Sequence, residues 1–360
     1  MPVSKPFILK AHILEQILGG AVSNQSAYAR AGVDITAAQK ATELMKTAVQ
    51  STFGPEVLSN VGNFGGLFDI SSPIESKPVL VASTDGVGTK TMVAAAMNRW
   101  DTIGHDIVNH CVNDILVQGA RPLFFLDYVA SSKLDPTQIA TVVDGIAEAC
   151  QRVGSALLGG ETAEMPGVYQ PGELDLVGTV VGVVARNSII DGSRISAGDV
   201  ILGLPSSGLH TNGYTLARTV LSELDWHQPH PDLGDTPGNL LLASHRCYLL
   251  EVQALWEAGV DVLGLAHITG GGLIDNPPRI FPEGLGAEIK RGSWVIPPIF
   301  SLIQALGNIP EMEMAHAFNM GLGMLVIVPP AQAERAQQVL DEAVVVGKMV
   351  VGETAVTFKS

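Results

Sequence analysis

Three cysteines, Cys111, Cys150 and Cys247, are spread over 360 residues. They are too few and too scattered for a disulfide framework or a zinc cluster, and a reduced, cytoplasmic setting is expected. No segment is continuously apolar for long enough to cross a bilayer, so no membrane partner is expected. The weakly amphipathic stretch from Phe7 to Leu18 has neither a long apolar run nor a cleavage site, which speaks against a signal peptide. Positive charge is also scarce: 21 Lys and Arg stand against 36 Asp and Glu, a net charge of -15. Nucleic-acid binding needs clustered cations to displace counterions, so that class is set aside. What is abundant is apolar surface, 46% of residues against 16% charged, which describes a well-packed globular chain long enough for two domains.

Within the first half, three stretches combine glycine turns with polar or acidic residues: Asp85-Gly86-Val87-Gly88-Thr89-Lys90, Asn113-Asp114 running on to Gly119-Ala120-Arg121-Pro122, and Gly159-Gly160-Glu161-Thr162. Glycine lets backbone N–H groups approach an anion, while carboxylates hold a hard cation whose remaining sites are filled by phosphate oxygens. The three together point to a nucleotide phosphate held through magnesium. On a chain this acidic the attraction has to be local, from the metal, backbone amides and a few lysines.

Pro78 to Ser83 reads as a buried strand ended by the Asp85-Gly86 turn, and Lys90 to Asn98 has helix-forming composition. Strand, glycine loop and helix in that order resemble a phosphate-binding turn, but Walker A spacing is absent. A plain strand-to-helix turn with an Asp cap is the other reading. Asp101 is expected to cap a helix running to about Gln118, with Ile107, Val108, Cys111, Val112 and Ile115 on one arc and Asp106, His110 and Asn113 on another. Asp114 falls at the border. Either its carboxylate is partly buried against a metal, a cation or backbone donors, or it ends an Asp106–His110–Asp114 ladder on a solvated face.

Leu134 to Val153 is the clearest helix. Asp135, Pro136 and Gln138 mark its start, Ile139, Val142, Val143, Ile146, Cys150 and Val153 repeat at helical spacing, and Gly154 stops it. Cys150 is thereby core packing. A short strand, Ala156 to Leu158, is expected to deliver Gly159-Gly160-Glu161 to a strand end, where ligands collect in open α/β structures. Leu174 to Val184 reads as a further strand, and a turn-rich patch before Val200 to Leu204 sets a domain boundary near residue 187. The second half repeats the style, with Ser206-Ser207-Gly208, His267-Ile268-Thr269-Gly270-Gly271-Gly272 and Asn319-Met320-Gly321-Leu322-Gly323 after apolar strands.

These stretches resemble the phosphoribosylformylglycinamidine cyclo-ligase (aminoimidazole ribonucleotide synthetase) family of the purine pathway. The match runs from Tyr28-Ala29-Arg30-Ala31-Gly32-Val33-Asp34 to Gly323 and is most specific at Cys111 to Tyr128, Gly159 to Pro166, Ser206 to Tyr214, and His267 to Gly272 with Asn276 and Pro278. Asp114 with Gly119-Ala120-x-Pro122 is shared with a wider ATP-using superfamily that includes thiamine-monophosphate kinase, selenophosphate synthetase and formylglycinamidine synthase. The resemblance implies an α/β (α+β) subunit of two domains, residues 28–186 and 187–360, after an extension at 1–27. It also implies a homodimer in which N-terminal sheets close into a barrel with ATP near the interface, and a C-terminal mixed sheet flanked by helices. The implied reaction is ATP-dependent: the formyl oxygen of formylglycinamidine ribonucleotide is activated as a phosphate ester, nitrogen attacks that carbon, and phosphate leaves as 5-aminoimidazole ribonucleotide forms with release of ADP.

Carried onto this chain, the resemblance makes Asp85, Asp114 and Glu161 candidate Mg2+ ligands supported by Asn113. Gly86, Gly88, Thr89, Gly159 and Gly160 are implied around the ATP phosphates, with Lys90 or Lys46 as a point charge. His210 is the candidate for proton handling or phosphate contact, beside Lys46 and Asp114 in the catalytic set. Ser207, His210, Asn212, His267, Thr269, Gly270 and Gly271 would cradle the ribonucleotide. Read as residues alone, Lys46 is equally a solvated helix lysine and the His267 segment equally a tight strand-to-helix turn. Two departures stand out: residues 1–27 have no family counterpart, and Arg30 stands where an acidic residue is expected. A small-molecule kinase of the same superfamily and a non-catalytic partner that kept the fold are the alternative functions.

Overall fold

The computed structural model describes residues 35–58, 68–70 and 77–360. Residues 1–27, the Phe7 to Leu18 stretch and the Tyr28 to Asp34 motif with Arg30 lie outside them. In the first half, helix α1 (Ile35–Ser51) precedes β1 (Pro78–Gly86), α2 (Lys90–Met97), α3 (Ile103–Leu116), β2 (Arg121–Ser131), α4 (Pro136–Arg152), β3 (Ala156–Glu164) and β4 (Leu174–Ala185). The strands form one sheet in the order β1-β4-β2-β3. β4 runs antiparallel to both neighbours, while β2 and β3 are parallel because α4 carries the chain back between them.

α4 starts where the sequence places it. The Asp135 side chain accepts from the Thr137 and Gln138 amides, Pro136 opens the helix, and Gly154 leaves it with φ +66°. Ile139, Val142, Val143, Ile146 and Cys150 are buried. α3 begins at Ile103 rather than at an Asp101 cap, since the Asp101 carboxylate pairs with Arg99 instead. β3 continues through Gly159-Gly160 to Glu164, so the glycines lie inside a strand and not in a turn after it. A Cβ on Gly160 would collide with the Asp127 carboxylate, which explains the missing side chain.

The helices cover one face of this sheet. The other carries Leu80, 59% exposed, with the exposed Ala82 and Thr84.

The second half holds a six-stranded sheet in the order β10-β7-β9-β5-β8-β6, built from β5 (Val200–Pro205), β6 (Gly264–His267), β7 (Leu285–Lys290), β8 (Leu322–Val328), β9 (Val344–Val351) and β10 (Val356–Lys359). The β10–β7 pair is parallel and the rest are antiparallel. All seven residues of β8 are buried, as a strand covered on both faces requires. Helices α5 (Tyr214–Val220), α6 (Pro237–Leu241), α7 (Leu249–Glu257), α8 (Gly272–Asp275), α9 (Pro298–Gly307), α10 (Glu311–Ala317) and α11 (Ala333–Val339) flank it. The two-domain α/β architecture with mixed sheets is therefore present. Among the described residues no helix is long and apolar enough to cross a membrane.

Candidate active site at the junction of the two domains

α3 is the spine of the site. Its apolar arc, Ile107, Val108, Cys111, Val112 and Ile115, is fully buried. The other arc is buried too, because loops of the second domain cover Asp106, His110 and Asn113. A solvated ladder is therefore not what forms. Asp106 meets the Lys90 ammonium at 2.8 Å with neither side chain exposed, and it accepts the His245 amide at 2.6 Å. Burial pushes the Lys90 pKa down and the Asp106 pKa up, each opposed by the charge of the other. Lys90 also donates to the carbonyls of His210 (3.2 Å) and Ala243 (2.6 Å). With three internal acceptors and no exposure it is not a free charge for phosphate, which corrects that expectation. Asn113 is likewise occupied: its Oδ1 accepts from the Tyr248 amide and its Nδ2 donates to the Arg246 carbonyl. It clamps helix to loop from a fully buried position.

Asp85, at the end of β1, and Asp114, in the last turn of α3, do converge. His110 Nε2 lies 2.8 Å from Asp85 Oδ2 and 3.8 Å from Asp114 Oδ2. Asp114 also accepts from His267 Nδ1 at 2.8 Å and from Ser83 Oγ at 3.1 Å. Burial pushes the Asp85 carboxyl up, but the hydrogen bond and charge of His110 outweigh it and hold the group below the usual carboxylate value. Asp114 is pushed up by burial and brought lower by its hydrogen bond from His267. For His110, burial lowers the pKa, and the two carboxylates more than reverse that. His210 and His245 are driven well down, by burial first and by neighbouring positive charge second. His210 adopts φ +62°, an unusual backbone for a residue with a side chain. Its Nε2 accepts from the Ser207 amide at 3.3 Å, and its buried Nδ1 has no hydrogen-bond partner.

The remaining candidates divide. Gly86, Gly88 and Thr89 form the turn beside Asp85: the Gly86 amide donates to Asp85 Oδ1, Gly88 takes φ +65°, and the Thr89 hydroxyl meets that of Thr215 at 3.1 Å. In the second domain β6 delivers His267 to Asp114, and the turn after it sets Gly270 beside Asn212. Thr269 is held through its amide by Asn276, Gly271 precedes α8 with φ +97°, and Ser207 donates to the Ser244 carbonyl.

Glu161 does not join Asp85 and Asp114 within one chain. Asp85, Gly178, Asp127 and Gly160 pair in one row across the sheet, so Glu161 is three strands away, about 14 Å, and its side chain leaves by the opposite face. The three-carboxylate cluster is thus reduced to a pair, and Gly159 and Gly160 go with Glu161. Lys46 is exposed on α1, which packs on α4 and β3, and is likewise remote from the pair within one chain. Thr211 and His245 are functional residues beyond the expected set: Thr211 lies within the Ser206 to Tyr214 stretch without a role of its own, and His245 has no local pattern to mark it. His110, for which a solvated ladder is one of two readings of the sequence, carries one usable signal, its i, i+4 spacing from Asp114.

A family model for AIR synthase related protein, N-terminal domain, matches residues 67–184, and its C-terminal counterpart matches residues 196–359. The phosphoribosylformylglycinamidine cyclo-ligase of Desulfitobacterium hafniense is 54% identical over 316 residues, covering 88% of this chain and 93% of its own. This chain belongs to the phosphoribosylformylglycinamidine cyclo-ligase family. The cyclo-ligase of Bacillus cereus is 49% identical over 340 residues, covering 92% and 98%. Among solved structures, the hydrogenase maturation protein HypE in complex with ATP is similar with TM-score 0.66 and 19% identity, covering 90% of this chain and 91% of its own. Thiamine-monophosphate kinase from Stenotrophomonas maltophilia gives TM-score 0.61 and 17% identity, covering 88% and 96%. At these identities the two structures speak for a shared fold alone.

Proposed function

We propose that this chain performs the reaction of its family, ATP-dependent ring closure of formylglycinamidine ribonucleotide to 5-aminoimidazole ribonucleotide with release of ADP and phosphate. The observation that carries the reading is the meeting of Asp85 and Asp114 around His110, beside the Gly86 to Thr89 turn and against histidines from the second domain. An amide oxygen leaves poorly, so transfer of phosphate onto it makes the leaving group, and such a transfer needs placement and charge neutralisation more than a protein nucleophile.

The carboxylate pair fits magnesium. Asp85 and Asp114 are hard oxygen donors, 39% and 27% exposed at the side chain, and magnesium is commonly held by one or two carboxylates with phosphate oxygens filling other positions. When bound, the ion supplies neutralisation of the triphosphate charge. The protein's own groups do the rest. His267 orients Asp114 through its Nδ1 proton, the Gly86 to Thr89 turn offers amides and a hydroxyl to phosphate, and the fully buried His210 supports the cluster from behind as a neutral imidazole. Asn212, Thr269, Gly270 and Gly271 form one rim on which the ribonucleotide rests.

The exposed sheet face around Leu80 supports a homodimer, in which Glu161, Gly159 and Gly160, set on that sheet, and Lys46 would serve a site shared between subunits. The cytoplasm is the compartment proposed. The test is direct: purified protein with formylglycinamidine ribonucleotide, ATP and magnesium yields aminoimidazole ribonucleotide, ADP and phosphate. A stable phosphorylated product without ring closure would identify a kinase, and ATP binding without turnover a non-catalytic partner.

A further inference from the structure

Asp85 and Asp114 are joined by an unbroken series of side chains through the second domain. Asp85 Oδ2 lies 2.8 Å from His110 Nε2, and His110 Nδ1 2.5 Å from Thr211 Oγ1. Thr211 Oγ1 lies 3.3 Å from His245 Nδ1, His245 Nε2 2.9 Å from His267 Nε2, and His267 Nδ1 2.8 Å from Asp114 Oδ1. Asn113 Nδ2 flanks the two Nε2 atoms at 3.2 and 3.5 Å, and His210 stacks on His245 with ring centroids 4.0 Å apart.

We propose that Thr211, acting through His245, is a positioning residue for ring closure: it ties the imidazole on Asp85 to the imidazole on Asp114, so that the two carboxylates keep one mutual geometry. The inference rests on the functional reading above. A hydroxyl has one donor and two acceptor sites, and His110, His245 and Asn212 Nδ2, the last at 3.5 Å, occupy all three. Thr211 is only 9% exposed and His245 1%, so neither finds replacement water partners readily. Both come from loops of the second domain, so the carboxylates of the first domain hold their relation only while the domains stay docked.

Thr211→Val keeps the shape and removes all three hydrogen bonds. With the assay run below the melting temperatures of all variants, kcat is expected to fall about 10- to 100-fold. KM for ATP and for the ribonucleotide should stay within about 2-fold, the pattern of an interaction that matters after substrates are bound. Thr211→Ser restores the hydroxyl and should recover most of kcat. Valine turnover matching wild type, or a loss that serine does not relieve, overturns the proposal. A readout free of turnover is the NMR signal of 15N-labelled imidazoles: in Thr211→Val the His267 resonances should shift although His245 separates the two residues, and unshifted His267 signals also overturn it. Wild-type protein that fails to close the ring sinks the functional reading instead, and the NMR comparison still decides whether Thr211 governs the geometry at Asp114.

Discussion

The Lys90 ammonium and the Asp106 carboxylate face each other at 2.8 Å with no solvent contact on either side. Lys90 extends to two carbonyls of the second domain and Asp106 to one of its amides, so the pair fastens the domains together. Such a pair adds little over a well-packed apolar one, but removing one partner strands a buried charge.

Lys90→Met is therefore expected to destabilise the protein by about 3–5 kcal/mol, whereas Lys90→Met combined with Asp106→Leu loses less. Urea unfolding of wild type and the two variants checks this. A single substitution as mild as the double would show that the charges are not isolated from water.

Acid sensitivity follows from His210 and His245. Both are held well below the ordinary value of 6.5 by burial, so below that pH the unfolded chain takes up protons that the folded chain refuses. The sign is that stability rises with pH up to 6.5 and falls on acidification. The acid slope is about 1.4 kcal/mol per pH unit for each group. His110 runs the other way: its raised pKa contributes stability below 6.5 that is lost as pH rises through its folded value. Denaturant midpoints between pH 5 and 9 in wild type and His245→Asn test this, the variant losing one proton's worth of acid slope. Equal slopes in the two proteins contradict the account.

Asp114→Asn should abolish magnesium-dependent turnover while leaving circular dichroism and hydrodynamic size unchanged. The amide keeps the volume and one acceptor for His267 but loses the charge a cation needs. Full activity in this variant would remove Asp114 from the metal site.

Leu80→Lys places a charge on the edge strand β1 of the open sheet face. Sedimentation velocity should show a dimer for wild type and a shift toward monomer for the variant, because an apolar side chain 59% exposed in one subunit is what a second sheet would cover. A dimer equally stable in both would move the interface elsewhere.

Local pattern made much of the scaffold readable. The strand at Pro78, the α4 caps and the β4 run were visible because apolar runs, capping and glycine stops act over a few residues, but β1 is a half-exposed edge strand and not the buried one expected. Asp85 and Asp114 were visible for the same reason, each beside its own glycine turn. The helix start at Asp101 was misplaced because Arg99 competes for that carboxylate, a choice the sequence pattern does not record.

By itself, then, the sequence determined the main element types and the two-domain α/β class, and it offered Asp85, Asp114 and Glu161 as candidates. Only the tertiary structure decided which of them meet. Sheet pairing sent Glu161 to the opposite face and three strands away, domain docking buried Lys90 against Asp106, and loops far along the chain brought Thr211 and His245 between the carboxylates. Those outcomes depend on strand register and on contacts between residues more than a hundred positions apart, for which no short-range spacing codes.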